Sequence, residues 1–158
     1  MRRIMEQLEF KWTSPDNADF RCFYLITEAY YDSIAGGPGK RREFVPYNLS
    51  ESIQDVLIAY VSGIAAGCAG LKKYNDTDTE LKRVWVEPAY RGKHIASAMM
   101  DMIEDRASQQ GFGRVILQTR EQMTAAVSLY LSRGYYRTEN YPPYDKLEGA
   151  VCFAKDIV

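Results

Sequence analysis

The chain predicts an α+β fold of the three-layer type, a mixed and mostly antiparallel central sheet flanked by helices, with elements in the order β-α-α-β-β-β-α-β-α-β-β. Three observations carry this. The apolar period switches from helical to alternating and back again along the chain. Three strand-like segments in the middle follow one another through short turns, as in an antiparallel meander. Val115-Ile116-Leu117, apolar throughout and bracketed by helical patterns, reads as a strand covered on both faces. At 158 residues, 46% hydrophobic and 26% charged, the sequence suits one domain spanning residues 1–158.

The elements follow in order. Leu8 to Trp12 alternates like a half-buried strand. Pro15-Asp16 opens a helix carrying Phe20, Phe23, Tyr24, Ile26, Thr27, Tyr30 and Tyr31 at spacings of three and four, ending near Gly36-Gly37. Ala35 to Arg42 is an exposed glycine loop, and Tyr47 to Gln54 a short helix capped by Asn48 or Ser50. Val56–Val61, the turn Ser62-Gly63 and Ile64–Leu71 make a hairpin, and Asn75–Asp78 turns the chain into Glu80–Val86, which Pro88 ends. After Arg91-Gly92, the residues Ile95, Met99, Met102, Ile103 and Ala107 share one helical face, closed by Gly111 or Gly113. Thr124–Arg133 is a helix closed by Gly134, and strands over Tyr135–Glu139 and Ala150–Lys155 finish the chain.

Composition excludes several function classes. The formal net charge of −1 argues against a nucleic-acid coat protein, which needs a basic surface to displace counterions. The single histidine, His94, rules out any site built on two imidazoles. Cys22, Cys68 and Cys152 are far apart and odd in number, and read as buried thiols of a reducing compartment. The chain start has no apolar run behind its arginines, and Val56–Leu71 is too short and glycine-rich to span a membrane, so a cytoplasmic protein with neither nucleic-acid nor membrane partner is expected.

The chemistry concentrates between Leu81 and Ala96. A strand that enters a helix through Arg91-Gly92-Lys93-His94 aims several backbone N–H groups into one concavity, to which the helix end adds about half a positive charge. Taken alone, this reads either as a phosphate site or as an ordinary strand-to-helix turn. Neither a Walker lysine nor GxGxxG is present.

Arg91-Gly92-Lys93-His94-Ile95-Ala96, preceded by Glu80-Leu-Lys-Arg-Val-Trp-Val-Glu-Pro88, resembles motif A of the GNAT superfamily of acyl-CoA-dependent N-acyltransferases, whose core is Gln/Arg-x-x-Gly-x-Gly/Ala. About thirty residues on, Ala126-Val-Ser-Leu-Tyr-Leu-Ser-Arg-Gly-Tyr135 resembles motif B, and the strand order is also similar from Val56 onward. There are two departures: His94 stands where the family usually has Gly, and Met123 where motif B often has Asn. The expectation is that His94, in the first helical turn, narrows the pyrophosphate pocket, and that Met123 forfeits one side-chain hydrogen bond near the cofactor.

The resemblance implies direct transfer of acetyl from acetyl-CoA to a primary amine of a small molecule or peptide. Pyrophosphate would rest on the amides from Gly92 to Ala96, with Arg91, Lys93, His94, Ile95 and Ser97 around it; Met123 and Ala126 would border the cofactor. Pantetheine would pair with Val84, Trp85 and Val86, and an N–H near Val86 would hold the oxyanion. Glu80, eleven residues before Arg91, would take the amine's proton, and Tyr130 would protonate the departing thiolate. Their structural alternatives are a strand-end carboxylate paired with Lys82 or Lys72, and an aromatic core residue. A catalytically silent acyl-CoA-binding module is the competing function, and homodimerisation through the last strands is a family habit. For the acceptor, Asp76, Asp78, Glu139, Asp145 and Glu148 would suit a cationic amine, the run Lys40-Arg41-Arg42 points the other way, and Tyr135, Tyr136, Tyr141 and Tyr144 are candidates to line its pocket.

Overall fold

In the computed structural model, which describes residues 7–35 and 52–157, β1 (Leu8–Thr13) leads into α1 (Ala18–Ala35). The meander β2 (Asp55–Val61), β3 (Ile64–Lys73) and β4 (Asp78–Val86) follows. Then come α2 (Ile95–Gln109), β5 (Arg114–Arg120), α3 (Thr124–Ser132), β6 (Tyr136–Thr138) and β7 (Ala150–Asp156). The expected loop from Ala35 to Arg42 and most of the expected helix at Tyr47–Gln54 lie outside the described residues. The seven strands form one sheet in the order β1-β2-β3-β4-β5-β7-β6. All neighbours run antiparallel except β4 and β5, whose parallel pairing needs the crossover that α2 supplies.

Local chemistry sets the element ends. Asn17 Oδ1 accepts the Phe20 N–H at 3.1 Å and caps α1, one residue beyond the Pro15-Asp16 pair that marked its start in sequence. Gly134, at φ 87°, lets the Tyr135 N–H turn back to the Tyr130 carbonyl at 3.0 Å and ends α3. Met99, Met100, Ile103 and Ala107 of α2 are fully buried against Leu57, Ala69, Leu81, Val115 and Leu117, at about 2 kcal/mol for each large side chain. Tyr130 of α3 joins that cluster, so α2 and α3 share a face. On the opposite face, Phe20 and Phe23 of α1 pack on Val56, Ile58, Cys68 and Trp85. Cys68 and Cys152 are buried thiols as expected; Cys22 is exposed, because it falls on the outer side of α1 between the inward-facing Phe20 and Phe23.

One irregularity shapes the site. β4 and β5 pair only where Asp78–Glu80 meets Arg114–Ile116. Asp78 accepts two hydrogen bonds from Arg114, at 3.1 and 2.9 Å, which pin that end. Further along, the β3–β4 register shifts between Cys68 and Gly70, and Arg83 takes a left-handed φ of 57°. This bulge adds twist and turns β4 away from its parallel neighbour, leaving an unzipped edge.

Candidate active site

The Glu87 N–H bonds back to Ala66 on β3 at 2.8 Å. Main-chain groups alternate sides along a strand, so those of Val86 and Val84 face the unzipped edge toward β5. The Val86 carbonyl there accepts Arg91 Nε at 2.8 Å, and the Arg91 guanidinium lies 4.8 Å from the centre of the Trp85 ring. Arg91 thus braces the chain as it leaves β4.

The turn that follows has backbone geometry that can hold an anion. Gly92 and His94 both have left-handed φ values, 80° and 63°. The first bond of α2 runs from the Ala98 N–H to the His94 carbonyl at 3.1 Å, so the N–H groups of Ile95, Ala96 and Ser97 have no carbonyl one turn back within the helix. No side chain caps this end. His94 therefore stands one residue before the helix in a strained conformation, not within its first turn as the sequence reading had it. A β-carbon at that φ costs about 1 kcal/mol, the physical reason glycine suits the position.

A groove of about 460 Å³ runs over this cradle and along the open edge of β4. Every residue named from sequence for the cofactor or for catalysis lines it except Lys93 and Glu80. Lys93 is exposed, with its ammonium 5.6 Å from the centre of the Tyr90 ring. The far wall is the start of α3, where Met123 holds the N-cap position without a capping side chain. The Thr119 hydroxyl approaches the Met123 sulfur at 3.6 Å, and Gln122 Nε2 ties α3 to the Ile34 carbonyl of α1 at 3.2 Å.

A second cavity, about 90 Å³, adjoins the first; Tyr31, Val84, Met123, Ala126 and Tyr130 line both. Tyr130 is 7% exposed at this junction, and burial raises its phenol well above the ordinary tyrosine value, so it holds its proton at neutral pH. Leu81, Lys82, Arg83, Gln118, Thr119 and Arg120 also line the small cavity.

Behind that wall is a buried polar cluster. Glu80, 3% exposed, accepts the Tyr141 hydroxyl at 2.7 Å and lies 3.5 Å from Lys82 Nζ. Lys82 in turn donates to the Tyr144 hydroxyl at 2.7 Å. Burial pulls the Lys82 ammonium below its usual range while Glu80 pulls it back up. Burial and the adjacent Glu80 raise Tyr141, which stays a phenol. On the other side, Arg83 donates to Thr27 at 2.9 Å and to Glu28, with its guanidinium 4.3 Å from the Tyr24 ring centre. Arg83 thereby fastens the bulge of β4 to α1.

Some expectations fall elsewhere. None of Tyr135, Tyr136, Tyr141 and Tyr144 lines either cavity: Tyr135 donates to Glu104 at 3.1 Å, Tyr136 to Asp156 at 3.0 Å, and the other two belong to the Glu80–Lys82 cluster. Asp76, Asp78, Glu139, Asp145 and Glu148 also lie outside both walls. Tyr31, Lys82, Arg83 and Arg120 went unselected in sequence. Tyr31 is indistinguishable there from the other apolar positions of its helix, and nothing local announces the bulge that brings Lys82 and Arg83 to one cavity.

The sequence pattern of the acetyltransferase (GNAT) family matches residues 9–135. The IAA acetyltransferase of Azospirillum brasilense is 31% identical over 91 residues, 56% of this chain and 58% of that protein. The chain spans about half the length of the curated relatives it matches. Among solved structures, a GNAT-family acetyltransferase of Staphylococcus aureus superposes with a TM-score of 0.71 at 14% identity, over 95% of this chain and 100% of that one. A GNAT-family acetyltransferase of Elizabethkingia anophelis with acetyl-CoA bound gives 0.69 at 15% identity, over 94% and 97%. These two likenesses speak to the fold, and the match over residues 9–135 to the family: the chain belongs to the GNAT family of acetyltransferases.

Proposed function

We propose that the protein, as a single domain, transfers the acetyl group of acetyl-CoA directly to a primary amine held beside it in a ternary complex. The observation that carries this is the unzipped edge of β4 running into the left-handed turn at Gly92–His94, with Tyr130 where the two cavities meet. The residues fit the cofactor. Helix-end amides without a partner among the described residues, with Lys93 nearby, suit a pyrophosphate, and a strand edge left open among those residues suits the amides of pantetheine. Acetyl-CoA as substrate supplies the activated thioester.

The chain's own groups then have four tasks. The amides from Gly92 to Ser97 anchor the pyrophosphate, and Val84 and Val86 align the pantetheine arm. An N–H of the open edge near Val86 donates to the carbonyl oxygen as it gains charge, at about 3 kcal/mol if well aimed. The amine arrives protonated and must lose a proton before its lone pair can attack. Glu80 takes that proton by way of Lys82, which stands in the cavity wall between them and passes its own proton to the carboxylate as it accepts the amine's. Attack on the carbonyl carbon forms the C–N bond, the C–S bond breaks, and the thiolate takes the Tyr130 proton. The nitrogen's second proton restores the tyrosine.

Isothermal titration with acetyl-CoA, using dephospho-CoA and ATP as controls, tests the site, and thiol release in an amine screen tests turnover. Saturable micromolar binding with turnover is expected. Binding without turnover of any amine would make the chain an acyl-CoA-binding module, and no binding would overturn the cofactor site.

A further inference from the structure

We propose that Tyr141 is a positioning residue for the proton relay: its hydroxyl holds one oxygen of the Glu80 carboxylate, favours the ionised form and leaves the other oxygen to face Lys82. This rests on the acetyltransferase reading with Glu80 as proton acceptor, and names the residue that fits Glu80 for that task.

The two carboxylate oxygens have different neighbours. Glu80 Oε2 accepts the Tyr141 hydroxyl at 2.7 Å, while Oε1 lies 3.5 Å from Lys82 Nζ. A carboxylate free to rotate would offer either oxygen to either neighbour; a phenol fixed on one side assigns the other to the ammonium. Burial in general disfavours a charged carboxylate, and a hydrogen bond donated to the charged form offsets that. The phenol can only donate here: burial and the adjacent Glu80 raise it, so it keeps its proton across neutral pH. It steadies the carboxylate without competing for the proton that Lys82 delivers.

Tyr141 is itself held in place. The Tyr144 N–H turns back to the Tyr141 carbonyl at 2.8 Å, and Asn140 Nδ2 donates to the Ala150 carbonyl, at the start of β7, at 2.9 Å. The Tyr141 ring packs edge-on against Tyr74, with centres 5.0 Å apart, and against Tyr144 at 5.5 Å. Such pairs fix the plane of a ring and with it the direction of its hydroxyl. The Tyr74 hydroxyl donates to the Pro142 carbonyl at 2.7 Å, tying the end of β3 to the same segment through a different acceptor. The titratable groups that face the Glu80–Tyr141 pair, among the described residues, are Asp78 and Lys82 on β4, Lys72 opposite Glu80 on β3, Tyr74, Tyr144, and Cys152 on β7. On β5 the position paired with Glu80 is Ile116, which carries no charge. Asp78 is engaged by Arg114, and burial raises both the Tyr74 phenol and the Cys152 thiol. Lys72 and Lys82 remain beside Glu80 when the Tyr141 hydroxyl is removed, so that change isolates one hydrogen bond.

The test uses the full chain. The pH dependence of kcat is read by thiol release, with saturating acetyl-CoA and whichever of spermidine, phenethylamine and leucinamide turns over fastest. The titration of Glu80 is read by carbon NMR of its labelled carboxyl in the CoA-loaded protein. Tyr141→Phe keeps the ring and loses the hydroxyl. It is expected to move the acidic limb of kcat and the Glu80 midpoint together to higher pH by about one unit or more, the worth of a hydrogen bond to a charged group, with the KM for acetyl-CoA unchanged. Tyr74→Phe removes a hydroxyl from the same aromatic cluster and is expected to leave limb and midpoint where they are. A limb and midpoint unmoved in Tyr141→Phe, or moved equally in Tyr74→Phe, overturn the proposal. If Tyr141→Phe does not fold, the shift of the hydroxyl-bearing ring carbon of Tyr141 in the wild-type protein decides: it is expected to step at the Glu80 midpoint, and a flat response overturns the proposal. If none of the three amines turns over, the NMR readings decide by the same limits. An acidic limb that survives in Glu80→Gln refutes Glu80 as proton acceptor and this inference with it. A limb that flattens in Glu80→Gln but does not move in Tyr141→Phe refutes this inference alone.

Discussion

Gly67 lies on β3 opposite Val86, beside the point where β4 opens toward the larger groove. A β-carbon built there meets the Trp85 carbonyl oxygen at 2.6 Å, the Met99 Cε at 3.3 Å and the Val86 Cα at 3.4 Å. Real β-carbons essentially never come within 3.0 Å of another atom, so Gly67→Ala must move the two strands apart by about 0.4 Å or more. The obstructing atom is backbone, and it cannot rotate away. Overpacking of this kind costs about 1–3 kcal/mol, and a domain of this length loses about 2–4 °C of Tm per kcal/mol. Calorimetry should therefore show Tm lower by about 2–12 °C. Because the displaced carbonyl belongs to Trp85, between the two residues that line the open edge, the KM for acetyl-CoA should rise as well. Gly70→Ala is the comparison: its β-carbon meets Ile53 Cγ2 at 2.9 Å and no backbone atom closer than the Lys82 oxygen at 3.5 Å, so it should lower Tm by displacing buried Ile53 while leaving the KM for acetyl-CoA unchanged. Gly92→Ala tests a different term, since nothing lies within 4 Å but φ is +80°, so it loses by strain and not by contact. A Gly67→Ala protein with unchanged Tm and unchanged KM would refute the close approach of β3 to β4 and with it the geometry of the groove.

Three further outcomes are expected. Tyr130→Phe should lower kcat about a hundredfold or more, the usual worth of a positioned acid, while calorimetry finds acetyl-CoA affinity nearly unchanged; equal losses in both would make the hydroxyl structural. Glu80→Gln should flatten the acidic limb of the pH–rate profile, and an unchanged limb would clear Glu80 of the proton relay. Stability should fall above about pH 10, the unfolded tyrosine value. Burial and the hydrogen bond to Asp19 push folded Tyr60 up to about 12, and burial raises Tyr130, Tyr135 and Tyr141 in the same direction. In that window the unfolded chain has shed these protons and the folded one still holds them, so folding loses ground as pH rises. Urea titrations from pH 8 to pH 11 should show it, and Tyr60→Phe should soften the decline; a flat profile would contradict the placement of these phenols.

The sequence by itself determined most of the elements and the turn that leads into α2. Helices and strands were legible because their apolar periods are local, and Gly134 marked a helix end because its left-handed backbone is a local demand. The turn proposed to hold the phosphates was legible for the same reason: Arg91 to Ser97 is continuous chain, and its amides converge through the path of their own backbone. Only the tertiary structure decided the rest. It seated β7 between β5 and β6, and it paired β4 with β5 at one end alone. It set His94 in a left-handed conformation ahead of the helix, and put the bulge at Arg83. Glu80 read as a residue near the strand's start and became a buried carboxylate because Tyr141, 61 residues later, closes over it. The small cavity draws Tyr31, Lys82, Arg120 and Tyr130 from four separate elements. Periodicity reports which face of an element is buried; it carries no information about which other face it meets, and a cavity exists only where those faces fail to meet.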